Sequence, residues 1–248
     1  ITGPCYAVST ACSSSSKTIA SAQRLILSGV CDAVLTGGVD SLCRMTLHGF
    51  RSLGLVSERP CMPLDRNRSG ISLGEAAGLL LLERPQTEFA DCPHLLGCGE
   101  SSDAHHMTAP HPEGRGAVMA MKQALSQAGM SASEIDYVNL HVTGTQKNDE
   151  AEMCAMESVF ANTTACSGTK GLTGHTLGAA GGVEAIVALL TLQHGIKPGT
   201  CGLRELDPSF SSNVLYEPQT GVLVNKVMSN NFGFGGNNTT LIFGGPDD

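Results

Sequence analysis

Short apolar runs that adjoin glycines recur along this chain, and together with amphipathic stretches between them they confine it to a layered α/β architecture. Ala33-Val34-Leu35-Thr36 runs into Gly37-Gly38, and Leu79 to Leu82 follows a tight turn around Gly74 and Gly78. Continuous apolar runs of this length, bounded by turn signals, are the pattern of buried strands. Further strands are predicted over 95–102, 135–140, 222–229 and 239–243, with helices over 17–28, 116–129, 149–160 and 178–194. Gly29 and Gly129 suit helix C-terminal caps. Residues 39–54 read as helical or irregular. The last two strands, joined by Asn230 to Asn238, predict an antiparallel pair at a sheet edge. The stretch from Arg84 to Cys92, with Pro85, reads as a connection and divides the chain into 1–86 and 87–248.

At 248 residues the chain can bury a substantial core. A net charge of -8 with no basic block argues against nucleic acid as a partner. No apolar run approaches the roughly 20 residues of a membrane span. Ten cysteines without a CxxC pair indicate neither a zinc ribbon nor a thioredoxin-type site. Cys31, Cys43, Cys154 and Cys166 sit among apolar residues and read as reduced core thiols of a cytoplasmic protein. The opening Ile1-Thr2-Gly3-Pro4 has no initiator methionine and no leader character, which suggests a start within a larger protein. Arg51, Arg59, Arg66 and Arg68, interrupted by Pro60 and Pro63, read as a solvated loop and as the local candidate for meeting an acidic partner. His105, His106 and His111 lack metal-ligand spacing and read as a structured surface loop, so no metal is expected.

The candidate nucleophile is Cys12, in Ser9-Thr10-Ala11-Cys12-Ser13-Ser14-Ser15-Ser16. A helix starting just after it would favour the thiolate through unpaired N–H groups and the positive end of the dipole. Alone, Cys12 reads as a small buried hydrophobe, and His141 and His175 alone read as structural histidines. Together, one thiol and two imidazoles on loops after β-elements form a set suited to covalent catalysis.

These motifs resemble the elongating β-ketoacyl-acyl carrier protein synthases of the thiolase superfamily. The resemblance is carried by Thr10-Ala11-Cys12-Ser13-Ser14, the run from Asp103 to Pro112, HxTGTxxND at His141 to Asp149, KxxxGHxxGAAG at Lys170 to Gly181, and Phe232-Gly233-Phe234-Gly235-Gly236, in family order across the chain. It implies a five-layer αβαβα fold, with 1–86 completing the first half and 87–248 forming the second. It implies that Cys12 accepts an acyl group from acyl carrier protein and that His141 and His175 promote malonyl decarboxylation. Lys170 would anchor their hydrogen-bond network with Glu184 in support. Asp149 and Glu152 would be structural or ion-network residues. Thr143 and Thr145 would bind the phosphopantetheine arm, and Phe234 would be the gate whose N–H, with that of Cys12, forms an oxyanion hole. No cofactor is implied beyond the carrier's arm; a homodimer or a heterodimer with a related ketosynthase subunit is. Chain-initiating synthases resemble Cys-His-Asn, and thiolases carry a second cysteine near the C-terminus, whereas no cysteine follows Cys201 here. A non-catalytic partner similar to a chain-length factor would lack the nucleophile, and an inactive fragment is the other alternative. Two departures stand out: Val142 replaces a usual glycine, implying a tighter or shifted loop, and Asn237 replaces a usual threonine. The family's first portion, about 150 residues by resemblance, is not represented before Ile1, which implies uncovered sheet edges and apolar faces.

Overall fold

The computed structural model describes residues 2–85, 91–160 and 162–246. The division expected between 86 and 87 lies outside the described residues. In chain order the elements are α1 (Ser14–Leu27), β1 (Ala33–Asp40), α2 (Arg44–Ser52), β2 (Ala76–Glu83), β3 (His94–Ser102), α3 (Arg115–Ala128), β4 (Tyr137–Asn139), α4 (Gln146–Val159), β5 (Ala165–Ser167), α5 (Lys170–Thr173), α6 (Ala180–His194), β6 (Ile196–Lys197), β7 (Gln219–Thr220), β8 (Lys226–Gly233) and β9 (Asn237–Gly244).

The strands build a mixed five-stranded sheet, β3-β9-β8-β4-β5, and two antiparallel pairs, β1-β2 and β6-β7. Helices α1 and α6 pack between β1-β2 and the large sheet, while α3 and α4 cover its other face. The layers therefore run β, α, β, α, four of the five expected. Side-chain alternation explains why two cores form on either side of the large sheet. Met228 and Ile242 join Met121, Met153 and Met156 under α3 and α4. Their neighbours Val227, Leu241 and Phe243 meet Ile19, Ala185 and Ala188 of α1 and α6 on the opposite side. Among the described residues nothing covers the outer face of β1-β2, where Leu35, Val39, Leu79 and Leu81 are exposed.

Several expectations need correction. The β8-β9 pair is antiparallel as expected, but it lies inside the sheet, flanked by β3 and β4, and not at an edge. Asn230 and Asn231, read as connecting loop, belong to β8. The short β5 and α5 carried too few residues for any periodic signal. Cys166 is a core thiol, but Cys43 and Cys154 are exposed. Cys43 instead caps α2, its sulfur accepting from the Thr46 N–H at 3.4 Å. The stretch 177–194 is apolar and long enough to cross a bilayer by composition. Its buried Gly181, Gly182 and Glu184 face protein, so it is a core helix here.

The N-termini of α1 and α6 touch through glycines. A Cβ at Gly181 would lie 2.0 Å from Ser16 Oγ and 2.5 Å from Ser16 N. The Gly182 N–H donates to Ser15 Oγ at 2.9 Å. Because the obstruction includes backbone, Gly181→Ala is expected to cost about 1–3 kcal/mol by overpacking, measured from the denaturant midpoint. A variant as stable as the parent would show that the two helices can separate freely.

Candidate active site

Cys12 sits two residues before α1 begins, three residues earlier than the predicted start, after Ala11 in a left-handed conformation (φ 52°). It is 5% exposed. Its Sγ lies 3.0 Å from His175 Nε2. The backbone N–H groups of Phe234 and of Cys12 itself also bear on the sulfur. Gly233 permits this approach, since a Cβ there would stand 2.8 Å from Thr10 O and 3.1 Å from Cys12 N. The thiolate expectation is overturned for the free chain: burial pushes the Cys12 thiol up to about 11, outweighing the opposing effects of Lys170 and those N–H groups.

His141 follows β4, with its N–H donating to Glu152 Oε1 at 2.9 Å. Its Nδ1 faces Lys170 Nζ at 3.3 Å. An ammonium only donates, so Nδ1 accepts and the ring proton resides on Nε2. His175 stands edge-on to it, ring centroids 5.2 Å apart. The backbone of His175 is clamped by Ser72 O at 2.7 Å and by the Gly74 N–H at 3.0 Å. Its Nδ1 has no partner among the described residues. Burial first, then the Lys170 charge, hold both imidazoles neutral, well below the usual histidine range.

Lys170, only 1% exposed, pairs with Glu184 on α6. Burial raises the Glu184 carboxyl, while Lys170 and Asn231 oppose that shift. Asp149 is a buried fastener: Oδ1 accepts the N–H groups of Thr143 at 2.9 Å and Gly144 at 3.2 Å, and Oδ2 accepts that of Leu64 at 2.9 Å. Glu152 is pushed up to about 8 by burial, and its Oε2 has no partner among the described residues.

A cavity of about 580 Å³ reaches this cluster, lined among others by Cys12, Thr143, Thr145, His141, His175 and Phe234. The Thr143 and Thr145 hydroxyls are 3.0 Å apart. A second cavity, of about 470 Å³, also borders Cys12 and is lined among others by Tyr6, Val39 and Leu177. Phe50 and Phe234 line both, their ring centroids 5.6 Å apart. The role of Phe50 was not evident, because an aromatic on a short amphipathic helix signals only packing. The expected surface loop 103–112 is part of the site: His106, Thr108 and Pro110 line the larger cavity. It is tied to the glycine turn, with Gly235 N–H donating to Met107 O at 2.7 Å and Asn238 to Asp103 Oδ1 at 2.7 Å.

Arg68 is not a docking residue. It is 4% exposed, bound to Asp207 at 2.7 Å and Glu150 at 3.3 Å, and lies 5.1 Å over the Phe210 ring. Arg66 is exposed but paired with Glu205. Arg51 and Arg59 remain exposed. One ligand atom each from Cys12, His141 and His175 lies within 4.8 Å of the others, close enough to hold a metal ion. The ammonium of Lys170 against His141 disfavours a dication there.

Residues 1–88 match the beta-ketoacyl synthase N-terminal domain and residues 94–204 the C-terminal domain of the same enzymes. The chain belongs to the β-ketoacyl synthase family. It is 39% identical to the mitochondrial 3-oxoacyl-[acyl-carrier-protein] synthase of Arabidopsis thaliana, over 97% of this chain and 56% of that protein. It is 38% identical to 3-oxoacyl-[acyl-carrier-protein] synthase 2 of Rhizobium meliloti, over 97% of this chain and 60% of that one. A solved ketosynthase, in complex with its chain length factor, from Xenorhabdus doucetiae superposes with a TM-score of 0.93 at 49% identity. That match covers 98% of this chain and 60% of the ketosynthase. The chain thus spans somewhat more than half the length of the relatives it matches, and the likeness gives it the thiolase-like α/β fold of ketosynthases. Its departures from the family pattern are accommodated locally. Val142 is fully buried in the core under α4, and a Cβ at Gly168 would stand 2.3 Å from its Cγ2. Asn237 Oδ1 takes Lys17 Nζ at 3.4 Å.

Two pH effects follow. Cys43 is exposed and its thiol is lowered by hydrogen bonds from Thr46. Iodoacetamide mass mapping should label Cys43 before Cys12, and Cys12 labelling should climb about tenfold per pH unit from about pH 7 to pH 10. A Cys12 rate that plateaus at neutral pH would contradict the burial argument. Glu152 has its folded value raised from 4.5 to about 8. Its contribution is therefore complete below the unfolded value and is lost as pH rises through the folded one. Unfolding free energy should fall from pH 5 to pH 8 in the parent, and that slope should diminish in Glu152→Gln.

Proposed function

We propose that this chain carries the catalytic centre of a β-ketoacyl-acyl carrier protein synthase, performing decarboxylating Claisen condensation of an acyl thioester with malonyl-acyl carrier protein. The observation that carries the reading is one thiol and two imidazoles converging, with two cavities that both border Cys12. The acyl chain occupies the smaller cavity, and the phosphopantetheine arm enters the larger one past Thr143 and Thr145.

In the first half-reaction, Cys12 Sγ attacks the incoming acyl thioester while His175 Nε2 takes the thiol proton. The tetrahedral oxyanion rests on the N–H groups of Cys12 and Phe234. Collapse expels the carrier's thiolate, which recovers the proton. In the second, malonyl thioester enters the emptied cavity, and the Nε2–H groups of His141 and His175 hold its carbonyl oxygen as carbon dioxide leaves and enolate charge develops. Because Nδ1 of His175 is unpaired, that ring is free to present Nε2–H at this stage. The enolate carbon attacks the acyl-cysteine carbonyl, and collapse releases the β-ketoacyl product and the Cys12 thiolate, which takes up one proton from solvent.

No dissociable cofactor takes part. The partners proposed are acyl carrier protein, met in part by exposed Arg51 and Arg59, and a second ketosynthase-type subunit as a homodimer or heterodimer. Ten unpaired thiols suit a reducing compartment such as the cytoplasm. A non-catalytic chain-length-factor role fits poorly with a cysteine held 3.0 Å from an imidazole.

Carbon dioxide release from malonyl-carrier protein, with and without a supplied N-terminal segment, tests the reading. His141→Ala and His175→Ala should each slow decarboxylation by about 100- to 1000-fold, the usual loss on removing an oxyanion donor. Cys12→Ala should abolish acyl transfer while still decarboxylating. Parent-like decarboxylation in His141→Ala would refute this mechanism.

A further inference from the structure

Behind the two histidines, a continuous buried chain of hydrogen bonds leads from the helix of the nucleophile to His141. Ser16, in the first turn of α1, donates Oγ–H to Asn231 Oδ1 at 2.5 Å. Asn231 Nδ2 donates to Glu184 Oε2. The other carboxylate oxygen of Glu184 takes the Lys170 ammonium, which reaches His141 Nδ1 at 3.3 Å. All five side chains are buried.

The direction of every link is determined. The carboxylate only accepts and the ammonium only donates, so the Asn231 amide must present nitrogen to Glu184 and oxygen to Ser16. Turned over, its oxygen would face the carboxylate. Gly181 leaves the space that the Ser16 hydroxyl needs, since a Cβ there would lie 2.0 Å from it. Asn231 lies on β8, three residues before Phe234 in the turn that follows that strand, so the chain joins α1, β8, α6, α5 and the loop after β4.

We propose that Ser16 and Asn231 are positioning residues for His141. They aim the Glu184 carboxylate and favour its ionised form, so that Lys170 stays on Nδ1 and the His141 ring proton stays on Nε2. Burial alone would push Glu184 toward the neutral acid, and the Asn231 hydrogen bond opposes that. The effect on turnover rests on the condensation reading above, whereas the tautomer of His141 is independent of it.

The test is ¹⁵N NMR of histidine-labelled protein, with His141 assigned through His141→Gln, alongside decarboxylation and Cys12 alkylation. The parent should show His141 as a single Nε2–H tautomer. Asn231→Leu, similar in shape but without the amide, should shift the ring toward a mixture of tautomers. It should slow decarboxylation by about ten- to a hundredfold, the range for one lost hydrogen bond to a charged group. Ser16→Ala should act in the same direction more weakly and add little to Asn231→Leu, as expected for one network. Alkylation of Cys12 should stay within about twofold, because the sulfur keeps its own partners. An unchanged tautomer in the variants overturns the proposal, and so does a rate loss matched by equal changes in alkylation and thermal stability. If Asn231→Leu does not fold, an unchanged tautomer in Ser16→Ala is itself decisive. If the parent releases no carbon dioxide, the condensation reading fails while the tautomer comparison still decides this one.

Discussion

Everything at the centre of this protein depends on a buried ammonium. Lys170 lies 1% exposed between α5, α6 and the loop after β4. An ion taken out of water at that depth is tolerated only with a well-placed counter-charge and further hydrogen bonds. Glu184 supplies the first, His141 Nδ1 accepts a further hydrogen bond from the ammonium, and Asn231 holds the other carboxylate oxygen of Glu184. The arrangement fixes the proton on one imidazole and lowers the proton affinity of both. Two neutral rings beside one thiol are the result, a combination that can hold developing negative charge without first gaining positive charge.

The same burial that encloses this centre raises the Cys12 thiol. A helix N-terminus favours a thiolate, and the cysteine-before-helix reading of the sequence was sound as local geometry. The sequence does not reveal how deeply α1 is packed, however, and desolvation of the sulfur outweighs the lowering effects of Lys170 and of the Phe234 and Cys12 N–H groups. Cys12 is therefore held as a thiol against an imidazole. Cys43 shows the converse: an exposed helix cap with a more acidic thiol and no catalytic neighbours.

Much of the fold and nearly all of the central cluster were legible in the sequence, for physical reasons that differ by residue. An amphipathic segment such as α3 declares itself by period, and Gly129 adopts the left-handed cap expected of it (φ 67°). Helix α6, by contrast, is apolar on nearly every side and buries its small residues and Glu184, leaving Leu190 exposed. Cys12, His141, His175 and Lys170 sit in short motifs whose spacing survives into three dimensions. What stayed hidden depends on distant chain meeting distant chain. Arg68 read as a solvated loop residue because its partners Glu150 and Asp207 lie about 80 and 140 positions away. Asn230 and Asn231 read as a turn because two amides in a row usually are one, and only a completed sheet with charged neighbours makes them strand residues. The loop carrying His105 to His111 read as surface because nothing local shows that the glycine turn after Phe234 holds it against the cavity.

The contact between Val142 and Gly168 has a consequence that reaches beyond this one chain. The isopropyl group at 142 fills the space that any side chain at 168 would need. A family member with glycine at the first position frees that space for a larger residue at the second. The two sites should therefore covary across homologues, with side-chain volume exchanged between neighbouring loops while the histidine one position upstream keeps its place.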